Sequence, residues 1–220
     1  MTALANRPSL ASMRLPFALV AALIAVALPA AVGAAVPDAP PASQPTARQT
    51  DGPTIANLGR DQQINALLET LKSTTDARVA SEAENSLAAL WLQSGSATVD
   101  LMMGWVSSAM AAKNYGRALD YLDRVLTLRP DYAEGWNARA TVYFLEEDYS
   151  RALFDLEQVL KLEPRHFDAL AGLGAVLREL GKDKEALAAF EQALALDPHL
   201  GSVQKAVADM KLKGVAGRDL

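Results

Sequence analysis

A period of 34 residues governs this chain. Pro130, Pro164 and Pro198 stand 34 apart, as do Ala118, Ala152 and Ala186, and Leu119, Leu153 and Leu187. Leu126, Leu160 and Leu194 keep the same interval, and so do Leu128, Leu162 and Leu196. Two more columns keep character alone: Leu122, Leu156 and Phe190 are apolar, and Asp123, Glu157 and Glu191 are acidic. Five identical columns in one register define three copies, 99–132, 133–166 and 167–200. A chain so built stacks like units, each burying its apolar face against its neighbours.

Within a copy the apolar spacing is helical. In the third, Leu170, Leu173, Leu177 and Leu180 place one face on a helix over His166–Leu180. Gly181-Lys182 breaks it, and Asp183 is expected to cap a second helix carrying Ala186, Leu187, Phe190, Ala193 and Leu194 on one face. Pro198 stops that helix, because the residue before a proline is pushed out of helical angles. The second copy repeats the plan with Trp136, Ala140 and Tyr143, then Tyr149, Ala152, Leu156 and Pro164. Half of the residues are apolar, many of them Ala, and only 6% are aromatic, which suits helices better than a β-sandwich.

These residues make the chain resemble an exported bacterial tetratricopeptide repeat (TPR) protein. Trp136, Ala140, Tyr143, Ala152 and Pro164 stand at that motif's spacing in the second copy, and Leu173-Gly174, Ala186, Phe190 and Pro198 in the third. The first copy keeps Trp105, Ala118, Leu122 and Pro130, with Met102 and Val106 in place of the usual aromatic and glycine. The match covers about 100 of the 220 residues. It implies an all-α, right-handed solenoid of helical hairpins. Arg139 occupies a position where the family favours Leu, and is expected to keep its stem in the stack and its head in water.

The flanks follow other rules. Residues 1–14 carry two Arg, and Leu15 to Val36 runs uncharged over 22 residues, with small residues around Gly33-Ala34. That is the layout of a secretory leader over 1–34, cleaved after Ala34 or at Ala30 or Ala35. The competing reading is an uncleaved anchor, since the stretch is long enough to span a bilayer. Either way the remainder lies outside the cytoplasm, in the periplasm or on the inner membrane facing it. Residues 35–58, with five prolines among Ala, Ser, Thr and Gln, read as a disordered tether. Asp61–Leu71 and Asp76–Leu92 read as helices of an extra hairpin, 59–95, outside the repeat register and expected to cover the open N-terminal end of the stack. Leu200–Lys213 reads as an amphipathic capping helix closing the unit 96–213, with 214–220 as a tail.

Chemistry is sparse. There is no cysteine, which removes disulfides, thiolate ligands and cysteine nucleophiles, and the only histidines are His166 and His199. Both follow a repeat-ending proline and are expected to be solvated turn residues rather than metal ligands. No phosphate-loop, nucleophile-elbow, zinc or dinucleotide motif occurs. Gly172-Leu173-Gly174 falls inside a helix and serves close packing. Glu146-Glu147-Asp148 reads as a solvated turn, in a fold with no deep cavity to shift a carboxylate. A formal charge of −5 argues against a nucleic-acid partner. The expectation is a non-enzyme without a cofactor or metal, touching a membrane only through an uncleaved N-terminal segment.

The first helix of each copy lines the concave side of such a stack, and in the resembled family that side takes a peptide or a partner's helix. Its columns here are Met103, Asn137 and Ala171; Ser107, Thr141 and Ala175; Met110, Phe144 and Arg178; and Ala111, Leu145 and Glu179. Some family members grip a terminal carboxylate with Lys and Asn; Asn137 and Arg178 are not in one cluster, so that clamp is not supported. Two Met and a Phe suit an apolar segment, and equally suit packing against neighbouring helices. Asp100, Glu134 and Asp168 begin the three first helices, where acids offset the helix dipole and also form a rim favouring a basic partner. The expected function is an adaptor in the cell envelope that binds a protein or peptide segment. The alternatives are a homo-oligomeric spacer and an accessory subunit of an envelope assembly or secretion machine.

Overall fold

The computed structural model describes residues 58–212, with Ile55 and Gly214 besides. The leader or anchor and nearly all of the tether and tail therefore lie outside the described residues. Among the described residues no helix is long and apolar enough to cross a membrane.

The chain is an all-α solenoid. A hairpin of α1 (Arg60–Ser73) and α2 (Ala77–Leu92) precedes three repeat hairpins. These are α3 (Ala97–Ala111) with α4 (Tyr115–Leu128), α5 (Ala133–Leu145) with α6 (Tyr149–Leu162), and α7 (Phe167–Glu179) with α8 (Asp183–Leu196). Helix α9 (Gly201–Leu212) packs on α8. Its Val203, Ala206, Val207 and Met210 are buried, and they close the C-terminal end.

The period reappears in the turns. Lys113, Glu147 and Gly181, 34 apart, take positive φ of 55°, 62° and 73° and reverse the chain between the two helices of each repeat. Only glycine does so without steric cost. The next residue donates back across the helix end: Asn114 N–H to Ala109 O, Asp148 N–H to Tyr143 O and Lys182 N–H to Leu177 O, at 2.8, 2.8 and 2.9 Å. Asn114 and Asp148 then cap α4 and α6 through their side chains. In the third repeat the column holds Lys182, which cannot accept, and Asp183, expected as the cap, is instead the first helical residue of α8. The second helices of the three repeats, α4, α6 and α8, stop at a leucine two residues short of the repeat proline.

Small residues bring helices close, at Gly135 between the first two repeats and at Gly174 within the third. A Cβ on Gly135 would touch Leu126, Tyr132 and Val125 at 3.0–3.1 Å, and one on Gly174 would sit 2.5 Å from the Phe190 ring. The Gly172–Gly174 segment thus serves close packing, as its helical position implies. Arg139 departs from expectation. Its guanidinium is not in water but forms two parallel bonds to buried Asp155, Nε to Oδ2 at 2.8 Å and Nη2 to Oδ1 at 2.9 Å, and a third to Asp123 at 2.7 Å. Its head also lies over the Trp136 ring at 4.8 Å. Two carboxylates and an indole beside the helix compete successfully with solvent for the fork.

Candidate functional site

The N-terminal hairpin does not cap the stack. It straps the turns between successive repeats. Tyr132 Oη donates to Leu92 O at 2.9 Å and Arg129 Nη1 to Ser94 O at 2.5 Å, at the first turn. Arg165 donates to Asn65 Oδ1 at 2.7 Å and to Asp61 at 3.3 Å, at the second. His199 Nε2 meets Leu71 O at 3.1 Å, at the third. The driving force is apolar. Ile64, Leu67, Leu68, Leu71, Leu87 and Trp91 share one core with Phe167, Leu170, Leu200 and Val203. Those partners belong to the third repeat and the cap, so the hairpin folds back over them instead of continuing the stack.

The strap lies over the rim where the first helices begin. Asp100 is fastened to Ser94, accepting from its Oγ at 2.5 Å and its N–H at 3.2 Å. Glu134 takes His166 Nε2 at 3.1 Å and Asn137 Nδ2 at 3.3 Å. Asp168 is partly exposed and makes no side-chain hydrogen bond among the described residues. Burial pushes its carboxyl up to about 6, with Glu134 and Asp197 adding to the rise against the pull of His166. The Asp168 carboxyl is therefore shifted by its burial, contrary to the expectation from a shallow fold.

His166 is likewise not a solvated turn residue. It is 1% exposed, caps α7 by accepting from Ala169 N–H at 3.4 Å, and stacks on Trp91. These partners assign its tautomer: Nδ1 accepts, so Nε2 carries the hydrogen and donates to Glu134. Burial opposes the imidazolium, but the bond and charge of Glu134, with Asp168 and Glu163, hold its pKa above the ordinary value.

A second carboxyl pair escaped the sequence reading. Burial pushes Glu84 of the strap up to about 7, helped by the charge of Asp197 and a hydrogen bond to it. Asp197 is fully buried; Oδ1 accepts from His199 N–H at 2.9 Å, while Oδ2 finds no other donor. A proton on Glu84 supplies the missing donor.

The concave floor divides into two halves. Met103, Asn137 and Thr141 are buried. Met103 belongs to the core between the first two repeats. Asn137 and Thr141, with Phe144, Asp168 and Val176, line a cavity of about 10 Å³, close to the volume one water needs. Ser107, Met110, Phe144 and Arg178 are partly exposed and form an open strip along the later turns of α3, α5 and α7. Ser107 and Thr141 spend their hydroxyl hydrogens on Met103 O and Asn137 O of their own helices. Phe144 leans on Tyr149 with ring centroids 5.6 Å apart, and Arg178 lies 3.5 Å from Glu179. Leu145 is exposed beside the strip. The arrangement can take an apolar segment with one polar or acidic group near Arg178.

On the outer side of the strap a vestibule of about 530 Å³ is lined by Arg60, Arg129 and Arg165 and by Asp61, Asp131 and Glu163. Arg129 forks onto Asp131 and Arg165 onto Glu163, so its charges are already matched internally.

Residues 107–171 and 143–210 match tetratricopeptide repeat profiles. Over 156 residues, 71% of this chain and 76% of the relative, the sequence is 36% identical to a TPR repeat-containing protein of Rhizobium etli. Among solved structures, MamA is similar with a TM-score of 0.51 at 18% identity, over 73% of this chain and 81% of that one. The Arabidopsis OM64 TPR domain gives 0.51 at 21%, over 52% and 95%. The first TPR of Spaghetti (RPAP3), solved bound to the HSP90 peptide SRMEEVD, gives 0.51 at 19%, over 52% and 91%. At such identities the structural likeness speaks for the fold. With the repeat register, the helix pairs and the relative at 36% identity, it establishes that the chain belongs to the tetratricopeptide repeat family.

Proposed function

We propose that this chain is a non-catalytic adaptor of the cell envelope that holds a segment of another protein on the open strip of its concave face. A TPR stack is an interaction scaffold, and a protein of this fold has been solved with a peptide bound. The observation that carries the reading is the division of the floor. Met110, Phe144 and Ser107 stay accessible beside Arg178, although Met103, Asn137 and Thr141 on the same side are buried. Phe144 and Met110 provide the apolar contact, and methionine adapts to an irregular partner. Arg178 favours a carboxylate or carbonyl at one end of the segment. The periplasmic setting rests on the basic, apolar and small-residue order of residues 1–34.

The test places a photo-crosslinking residue at Phe144 in living cells, with Glu157 on the exposed side of α6 as control. A discrete adduct to another protein from position 144 alone supports the adaptor and identifies its client. Equal adducts from both positions, or none from 144 across growth conditions, remove the strip as the binding site.

A further inference from the structure

The small cavity in the concave floor presents acceptors and no free donor. It lies between α5 and α7, and partly exposed Phe144 belongs both to its wall and to the open strip. Asn137 and Thr141 stand four residues apart, on one face of α5, and each is only 7% exposed. Their donors are spent, Asn137 Nδ2 on the Glu134 carboxylate and the Thr141 hydroxyl on Asn137 O. The contact with Glu134 fixes which way the Asn137 amide points, since a carboxylate takes the NH2 side and not the oxygen. Asn137 Oδ1 and the Thr141 oxygen accept no hydrogen bond among the described residues. Asp168 lines the same cavity from the first turn of α7. The positive end of that helix favours its charge, yet no donor and no Lys or Arg reaches the carboxylate among the described residues. Glu134 differs, because His166 and Asn137 answer its charge. An acid left in this way beside two buried acceptors calls for a cation that carries several donors.

We propose that the cavity seats the ammonium head of a lysine carried by the segment on the open strip, which rests on the strip being the binding site. An ammonium has three N–H donors, and the cavity offers three acceptor groups, on Asp168, Asn137 and Thr141. Its volume of about 10 Å³ suits one ammonium, which is close to a water molecule in size. A guanidinium is planar, with five donors in a rigid fork, and is too large for that space. The cavity therefore separates lysine from arginine by size as well as by acceptor number. The four-carbon stem of the lysine leaves past Phe144, where an apolar surface covers it while the head is held below.

The test uses butylammonium, which is the lysine side chain by itself. It replaces sodium at constant ionic strength in a titration of the full chain at about pH 7.5, followed by amide NMR. The Asp168 carboxyl, raised to about 6, is mostly ionised there. The Asn137 side-chain amide and the Asp168 backbone amide are expected to shift and to saturate in the millimolar range. Trimethylbutylammonium keeps the charge without a donor, and butylguanidinium keeps the charge with a larger head. Each is expected to bind about tenfold more weakly or worse, and Asp168→Asn to weaken butylammonium by a similar factor. Thr141→Val, which removes one acceptor, takes the place of Asp168→Asn should that variant lose helicity by circular dichroism. Equal shifts from butylammonium and its trimethyl form, tighter binding of butylguanidinium, or binding indifferent to both variants would each overturn the proposal. A client crosslinked at Phe144 without butylammonium binding keeps the adaptor and removes the lysine site. Specific butylammonium binding without a client at Phe144 supports the ammonium site and removes the strip.

Discussion

The imidazole of His166 lies flat on the indole of Trp91, with ring centroids 4.2 Å apart and 13° between the planes. Phe167 meets the same indole edge-on at 5.2 Å. Trp91 ends α2 and His166 begins α7, so this stack joins the strap to the second inter-repeat turn.

The indole works by area and shape, because Trp91 Nε1 has no hydrogen-bond partner. Trp91→Phe therefore loses no bond and is expected to cost about 1–2 kcal/mol, whereas Trp91→Ala opens a cavity and costs about 3–5 kcal/mol. For a domain of this size the second change lowers the thermal midpoint by about 10 °C. Calorimetry of both variants checks the ratio; equal losses would mean that Nε1 holds a bond after all.

The pair Glu84 and Asp197 gives the strap a pH dependence. Glu84 has its pKa raised by burial, and then by Asp197, from 4.5 to about 7. A raised carboxyl binds its proton more tightly when folded, so its stabilising contribution is full below about 4.5 and is lost as pH rises through about 7. One pKa unit is about 1.4 kcal/mol, and solvent around the partly exposed Glu84 reduces the total effect to on the order of 1–2 kcal/mol. Glu84→Gln retains a donor for Asp197 Oδ2 at every pH. It is expected to match the wild type at pH 4.5 and to exceed it in stability at pH 8. Denaturant titrations at the two pH values decide the matter, and a constant difference between the proteins would disprove the shared proton.

What could be read from sequence was whatever the 34-residue period carries. The helix pairs, their proline stops and the small residues between repeats are local or nearest-neighbour features, and each appears three times. The strap breaks the period, so nothing in the register says where it lands. Its landing depends on contacts such as Trp91 with His166 and Leu71 with His199, which join residues far apart in the chain. His166 looked like a turn residue because its Pro-x-x setting is that of a turn; only the arrival of α2 buries it. One missed partner did leave a signal. Asp155 falls between Ala152, Leu156 and Val159 on the buried face of α6, and an acid there calls for a cation. Arg139 is that cation.

Breaking the Arg139–Asp155 pair tests how much it contributes. Asp155 is 1% exposed, so Arg139→Leu restores the family's usual residue but strands a buried carboxylate, at a cost of about 3–5 kcal/mol. Adding Asp155→Leu removes the stranded charge and is expected to recover most of that loss, since an apolar pair often replaces a buried ion pair without penalty. Arg139→Lys loses the two-pronged geometry and falls between. A double-mutant cycle measured by urea unfolding gives the coupling; a double variant as unstable as Arg139→Leu alone would assign the loss to Asp123 and the Trp136 face.

Two glycines inside helices should respond with opposite sign to the same change. In an exposed helix interior, Gly→Ala stabilises by about 0.4–1 kcal/mol, chiefly by restricting the unfolded chain. Gly104 is such a site, because a Cβ there meets nothing within 4 Å. Gly174 is not: its Cβ would fall 2.5–2.8 Å from three ring atoms of Phe190, which is itself buried between α7 and α8. The ring has no room to retreat, so α7 and α8 must separate, and overpacking of this kind costs about 1–3 kcal/mol. Gly104→Ala is thus expected to raise the thermal midpoint and Gly174→Ala to lower it. Gly174→Ala with Phe190→Leu should recover part of the loss, since the smaller side chain vacates the ring's place. A Gly174→Ala variant as stable as the wild type would mean that the third repeat is packed less closely than the 2.5 Å approach requires.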